Sequence, residues 1–169
     1  MMKIVRPFLF FGALLFVAVH MSQCASSPKL QDSIPLDLGE PYYQSWIAGI
    51  KGGGSGFDVY IPIKNNPNHI ILDSVYFRDR GTKLEEIQPG LFRGRLDSSL
   101  NKSDIIMSNA PYAEYGNTLP KHPKPLPFEL KDNECILGYR EHHRKKYFKI
   151  SGVIKKEPLY YPGTPPKKP

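Results

Sequence analysis

Residues 57–64 alternate apolar and polar side chains without a break. Phe57, Val59, Ile61 and Ile63 fall on one side, and Asp58, Tyr60, Pro62 and Lys64 on the other. That period of two belongs to a strand with one face in a core. Just before it stands Gly52-Gly53-Gly54-Ser55-Gly56, four glycines and one serine in five residues. Such a run reaches backbone angles closed to other residues and can reverse the chain sharply. A short apolar segment, residues 43–50, precedes the glycines and carries Trp46, the one tryptophan. The stretch reads as strand, glycine loop, strand.

The same grammar continues. A third strand is expected over residues 70–78, after the turn residues Asn65, Asn66, Pro67 and Asn68. Residues 82–87 and 91–96 flank Pro89-Gly90, the signature of a type II turn, and read as a hairpin. Residues 104–108 are a short candidate strand. Residues 109–127 form a long irregular stretch rich in proline, with Tyr112 and Tyr115 as its aromatics. Strands are then expected over 128–131, 134–141 and 146–154, with tight turns at Asp132-Asn133 and at His142-His143-Arg144. Cys135, Leu137 and Tyr139 share one face of the second of these, and Leu137 with Phe148 or Tyr147 is expected in the core. No segment carries a helical period of useful length. Seven or eight short strands spaced by turn signals predict an all-β fold, an antiparallel β-sandwich of immunoglobulin-like type, with a small β-barrel as the alternative.

The N-terminus points to export. Lys3 and Arg6 precede an uncharged apolar run over residues 8–19, short for a membrane span and right for a signal peptide. Met21-Ser22-Gln23-Cys24 resembles a lipobox with Cys24 as the lipid acceptor, and Gln23 departs from the small residue usual there. An uncleaved anchor, or cleavage by ordinary signal peptidase, are the alternatives. The expected organisation is a signal peptide over 1–23, lipidated Cys24 and a flexible tether over 24–41, a β domain over 42–157, and a loose Pro/Lys-rich tail over 158–169. Cys135 then reads as a buried thiol. A Cys24–Cys135 disulfide would require Cys24 to be unlipidated.

Three segments resemble a known family. The Trp46-Ile47-Ala48-Gly49 and Gly52–Gly56 loop, residues 72–78, and the 127–130 and 147–150 segments look like a family of short, uncharacterised lipoproteins of the Bacteroidetes type. The resemblance covers about residues 43–154. It implies export and a small β domain, and it brings no activity and no catalytic positions.

Chemistry is sparse. The glycine loop lacks the Gly-Lys-Ser/Thr end of a phosphate loop, because Gly56 is followed by Phe57 and a strand. Nor is it a nucleophile elbow, since Phe57 stands where the second glycine belongs. It remains a candidate binding loop, formed by Trp46, Gly52, Gly53, Gly54, Ser55 and Gly56, against the plainer readings of a strand connection and a core tryptophan. Backbone amides in such a loop could hold an anion or a carbonyl group. His69, His122, His142 and His143 lack metal-ligand spacing, so no metal and no cofactor are expected. Asp58, Asp73, Glu85 and Glu86 could supply a carboxylate pair, but the sequence does not bring any two together. No Ser-His-Asp motif is evident, and no catalytic residue is assigned.

The formal charge of +7 falls to +5 once Lys3 and Arg6 are removed. The cations are scattered, and the densest run, residues 140–146, reads as a solvated hairpin tip, so nucleic acid is not an expected partner. The sequence therefore predicts a non-enzymatic binding or accessory structural protein of the cell envelope. It would be held at the outer membrane by lipid on Cys24 and open to an envelope protein partner. A secreted or periplasmic protein, and an envelope hydrolase with an unrecognised site, are the alternatives.

Overall fold

The computed structural model describes residues 28–102, 107–112, 114–115, 117 and 126–165. The signal segment, Cys24, His122 and the candidate strand over 104–108 lie wholly or mostly outside the described residues. Eleven strands, β1 to β11, account for the regular structure among these residues: β1 Leu30–Gln31, β2 Asp37–Leu38, β3 Tyr42–Ala48, β4 Ser55–Asn65, β5 Ile71–Phe77, β6 Arg80–Lys83, β7 Glu85–Gln88, β8 Leu91–Asp97, β9 Glu134–Glu141, β10 Arg144–Ser151 and β11 Ile154–Tyr161.

They form two sheets, one ordered β1-β10-β9-β5-β6 and the other β11-β3-β4-β8-β7, with β2 on the far end of β4. The two pack face to face as an open sandwich, not a closed barrel. Val59 and Ile61 of β4 face Val75 and Phe77 of β5 and Cys135, Leu137 and Tyr139 of β9, all essentially inaccessible. The alternation of β4 and of β9 puts these side chains inward, as the sequence predicts. Phe148 and Ile150 are the core residues of β10, while Tyr147 faces out. Most strand pairs are antiparallel. Two edge pairs, β1 with β10 and β11 with β3, are parallel, because both β1 and β11 are joined to their neighbours through connections that leave the sheet.

The chain changes sheets at two corners, and each divides what the sequence reads as one strand. Within 82–87, Leu84 turns inward, its amide donating to the Asp73 carbonyl at 3.1 Å, so that β6 and β7 belong to different sheets. Within 146–154, β10 stops at Ser151, Gly152 takes φ +80°, and buried Val153 starts the crossing to β11. The Pro89-Gly90 turn is as expected, with Gly90 at φ +74°.

Three other expectations are corrected. Residues 128–131 are not a strand. Phe128 instead lies on the outer face between Tyr76 and Tyr147, at 5.3 and 5.2 Å. The described part of the tether is not free chain. Leu36 is in the core, Ile34 and Leu38 pack against it, and β1 and β2 join the two sheets. The start of the tail is likewise strand, since β11 runs to Tyr161. Pro158 sits where the β11–β3 register slips between Lys156 and Leu159, so its missing amide disturbs no regular ladder position.

Candidate functional site

The glycine loop folds back beneath Trp46 as the β3–β4 hairpin. Gly52 and Gly54 have φ of +78° and +86°, which glycine adopts without strain. Gly56 is needed for space: a Cβ there would stand 2.1 Å from the Leu96 carbonyl oxygen and 2.9 Å from the Trp46 ring. Gly53 has a Cβ-sized gap of only 2.6 Å to Ala48.

Asn101 staples the loop from outside. Its Nδ2 donates to the carbonyls of Ala48, Ile50 and Gly54 at 2.9–3.2 Å, its Oδ1 accepts from Gly52 N, and its carbonyl accepts from Gly54 N. Gly53 N donates to the Ile50 carbonyl. The three amides that an anion would need are thus occupied within the fold. Ser55 is equally committed. It is buried, donates to the Leu100 carbonyl at 2.7 Å, and accepts from Ser98 Oγ at 2.5 Å. Asn101 carries no marker in the sequence beyond its type, an amide that tolerates its φ of +50°.

Trp46 is buried, yet it does not plug the sandwich. Its position in β3 puts it on the outer face, opposite Gly56 and beside Tyr161 at 6.4 Å. The Arg95 guanidinium lies 5.2 Å from its ring, and Arg95 in turn grips Asp58 through two hydrogen bonds of 2.9 and 2.8 Å. Asp58 is fully buried although it points away from the core. The hydrogen bond to Asp58 raises the Arg95 pKa further above its already high ordinary value. The loop and Trp46 are thus tied into the fold by residues 95–102. Tyr112 and Tyr115 do not join it; they lean on each other at 5.8 Å and are largely exposed.

Each carboxylate offered by the sequence has a partner of its own. Asp58 is held by Arg95. Asp73, at a β-bulge in β5, binds Lys145 at 2.7 Å and Arg140 at 3.0 Å. Glu85 faces Arg93 at 3.8 Å, and Glu86 accepts from the Gly90 amide at 2.9 Å. His142 and His143 form the two-residue β9–β10 turn with φ of +47° and +64°. Among the described residues, no three His, Cys, Asp or Glu side chains gather as a metal centre requires.

What the sequence does not show is a cleft of about 860 Å³ along the β6 edge, where β5, β6, β8 and the β9–β10 hairpin meet the chain after β8. Six cationic side chains border it: Arg80, Lys83, Arg95, Lys102, Arg140 and Lys145. Three carboxylates do too, Asp73, Asp79 and Asp97, together with hydroxyl-bearing Ser74, Thr82 and Ser99 and the ring of Tyr76. Arg140 and Lys145 belong to the run expected as a solvated hairpin tip; they are exposed, but the register of β5 against β9 sets them over Asp73. A hydrogen bond from Lys145 holds the Asp73 carboxyl below its usual range. Burial alone would lower Lys145, but the Asp73 partner outweighs it and the amine is raised. Both groups stay charged at neutral pH. The cations of this cleft lie 65 positions apart in sequence from Arg80 to Lys145, so no linear motif could reveal it.

No family model matches the chain, and no curated protein or solved structure matches it significantly.

Proposed function

We propose that this is a non-enzymatic binding protein of the cell envelope, held to a membrane by lipid on Cys24, and that it binds an anionic ligand in the cleft along β6. The observation that carries the reading is the convergence of cationic side chains from separate elements on one concave surface: Arg80, Lys83, Lys102, Arg140 and Lys145 line it, while Arg95 borders it but is held by Asp58 and covered by Trp46. Concave sites with a few convergent polar groups are where ligands bind, and cations that line one focus the field on an anion. Lys83 is exposed and has no carboxylate partner among the described residues, so its charge is available.

One feature supports binding over hydrolysis. Ser74 lies in the cleft beside Lys145, the arrangement from which a serine–lysine dyad is built. A dyad needs a neutral amine as base, and the Asp73 partner keeps Lys145 protonated. The envelope assignment rests on the signal-like run over 8–19, on Cys24, and on the lipoprotein resemblance.

Two measurements test the reading. Cys24→Ser should shift the protein from the membrane fraction to the soluble one; unchanged partitioning with an intact N-terminus would mean an uncleaved anchor. Titration of the purified protein with tripolyphosphate should show saturable binding that weakens as salt rises. Lys83→Gln with Lys102→Gln should weaken it by about tenfold or more, the equivalent of about 1.4 kcal/mol. Equal binding by the folded double variant would remove the cleft as the site.

A further inference from the structure

Resting on the anion-binding reading, we infer that the ligand of the β6 cleft is an acidic oligosaccharide, a short polyhydroxylated chain carrying carboxylate or sulfate groups. Three properties of the cleft carry this.

Size is the first. At about 860 Å³ the cleft lies near the top of the range for small-molecule sites, roughly 300–1,000 Å³, and far beyond what one oxyanion fills. The second is the mixture of charges. A site built for a chain of phosphates would be all cation, because each carboxylate repels the ligand. Here Asp79 and Asp97 stand among the cations, and both are exposed. Carboxylates accept hydrogen bonds from sugar hydroxyls, and Thr82 and Ser99 can donate or accept. Cations for the acidic groups and acceptors for the hydroxyls are both present. The third is an aromatic wall. The Tyr76 ring lies over Gly81, where a Cβ would stand 2.6 Å from its Cδ1, and Phe128 and Tyr147 pack around it at 5.3 and 6.0 Å. Tyr76 is half-buried and lines the cleft, so the part of the fixed ring that stays open is an apolar surface for the C–H face of a sugar, with little rotamer freedom left to lose on binding.

Calorimetric titration of the full chain tests the inference with four probes: tetragalacturonate, its methyl ester, a sulfated heparin-derived tetrasaccharide, and tripolyphosphate. At least one acidic tetrasaccharide should bind about tenfold more tightly than tripolyphosphate, and tetragalacturonate about tenfold more tightly than its uncharged ester if carboxylate is the acidic group. The stronger of the two acidic probes identifies carboxylate or sulfate. Asp97→Asn should weaken the preferred tetrasaccharide and strengthen tripolyphosphate, a reversal that a misfolded variant would not give. Tripolyphosphate binding as tightly as both acidic tetrasaccharides would overturn the sugar and leave the anion site standing. Binding of the ester as tightly as every acidic probe, or no binding of any probe, would overturn both.

Discussion

Asp58 and Arg95 meet through two parallel hydrogen bonds, Nε to Oδ1 at 2.9 Å and Nη2 to Oδ2 at 2.8 Å, on a sheet face that points away from the core. The pair is nonetheless closed off, with Asp58 fully buried and Arg95 covered by Trp46. Neighbouring strands β4 and β8 place the two residues directly opposite each other, and the fork of the guanidinium matches the carboxylate. Tyr60, next on the same face of β4, is raised in pKa by burial and then by the Asp58 charge. The outer face of this sheet is therefore a second, polar packing layer, in which Trp46 serves as a cover.

Removing one partner tests that layer. Asp58→Ala leaves a guanidinium without its carboxylate under an indole ring. The expected loss is about 3–5 kcal/mol, the range for breaking a buried pair from one side. Chemical denaturation measures it directly. A loss under about 1 kcal/mol, the value of a solvent-exposed pair, would show that water reaches the carboxylate.

The β9–β10 turn predicts a gain. His142 and His143 both take positive φ, as a two-residue type I′ turn requires. Non-glycine residues are strained there by roughly 1–2 kcal/mol each, and Asn-Gly is the preferred pair. Replacing His142-His143 with Asn-Gly should raise stability by about 1 kcal/mol or more. An unchanged or lower melting temperature would mean that the two histidines make compensating contacts.

Cys135 sets the alkaline end of the pH profile, and Asp73, Glu134 and Glu141 set the acid end. Burial pushes the Cys135 thiol from 9.0 up to about 12. A raised folded value stabilises the protein below the unfolded pKa, so this contribution is complete below about pH 9 and is lost as pH rises towards 12. Asp73 has the opposite sign. Its folded pKa lies below 3.8, so its contribution is present above that pH and is lost on further acidification. Glu134 and Glu141, lowered from 4.5 by hydrogen bonds from Lys149 and Lys146, act in the same direction. Melting temperature should form a plateau between about pH 4.5 and 9. Cys135→Ala will lower the plateau by creating a cavity, and it should flatten the decline above pH 9. An unaltered alkaline slope in that variant would assign the decline to other groups.

The sequence made legible what the period of two controls. The ranges of β4 and β9 follow from alternation, those of β5 and β8 from the turn signals beside them, and that of β9 is the same at both ends. The corners are less legible, because Leu84 and Val153 extend an apolar pattern while the backbone changes sheet. The tether contains a signal that proline and serine mask: Ile34, Leu36 and Leu38 keep the strand period, and all three reach the core. The cleft is not legible at all. Its cations are ordinary surface residues until the register of β5, β6 and β9 sets them around one concavity.

The glycine loop separates a structural role from a binding role. Its amides bond within the fold and its open angles are fixed by Asn101, so its residues are needed for stability. Gly56→Ala forces a methyl group against the Leu96 carbonyl oxygen and the Trp46 ring, contacts that only backbone movement relieves. The cost should reach about 3 kcal/mol, the upper end for overpacking. Asn101→Ala removes four side-chain hydrogen bonds and leaves an alanine at φ +50°, with an expected loss of about 2–4 kcal/mol. Asn101→Gly relieves the backbone but not the lost bonds, so it should fall between Asn101→Ala and the natural protein. In protein that remains folded, all three should keep the greater part of the tripolyphosphate affinity, because the loop reaches the cleft only through the Gly53–Lys102 bridge and through Leu96 beside Gly56, and its glycines do not line it. Stability close to that of the natural protein together with lost ligand capture would reverse the assignment, making the loop the site and the cleft incidental.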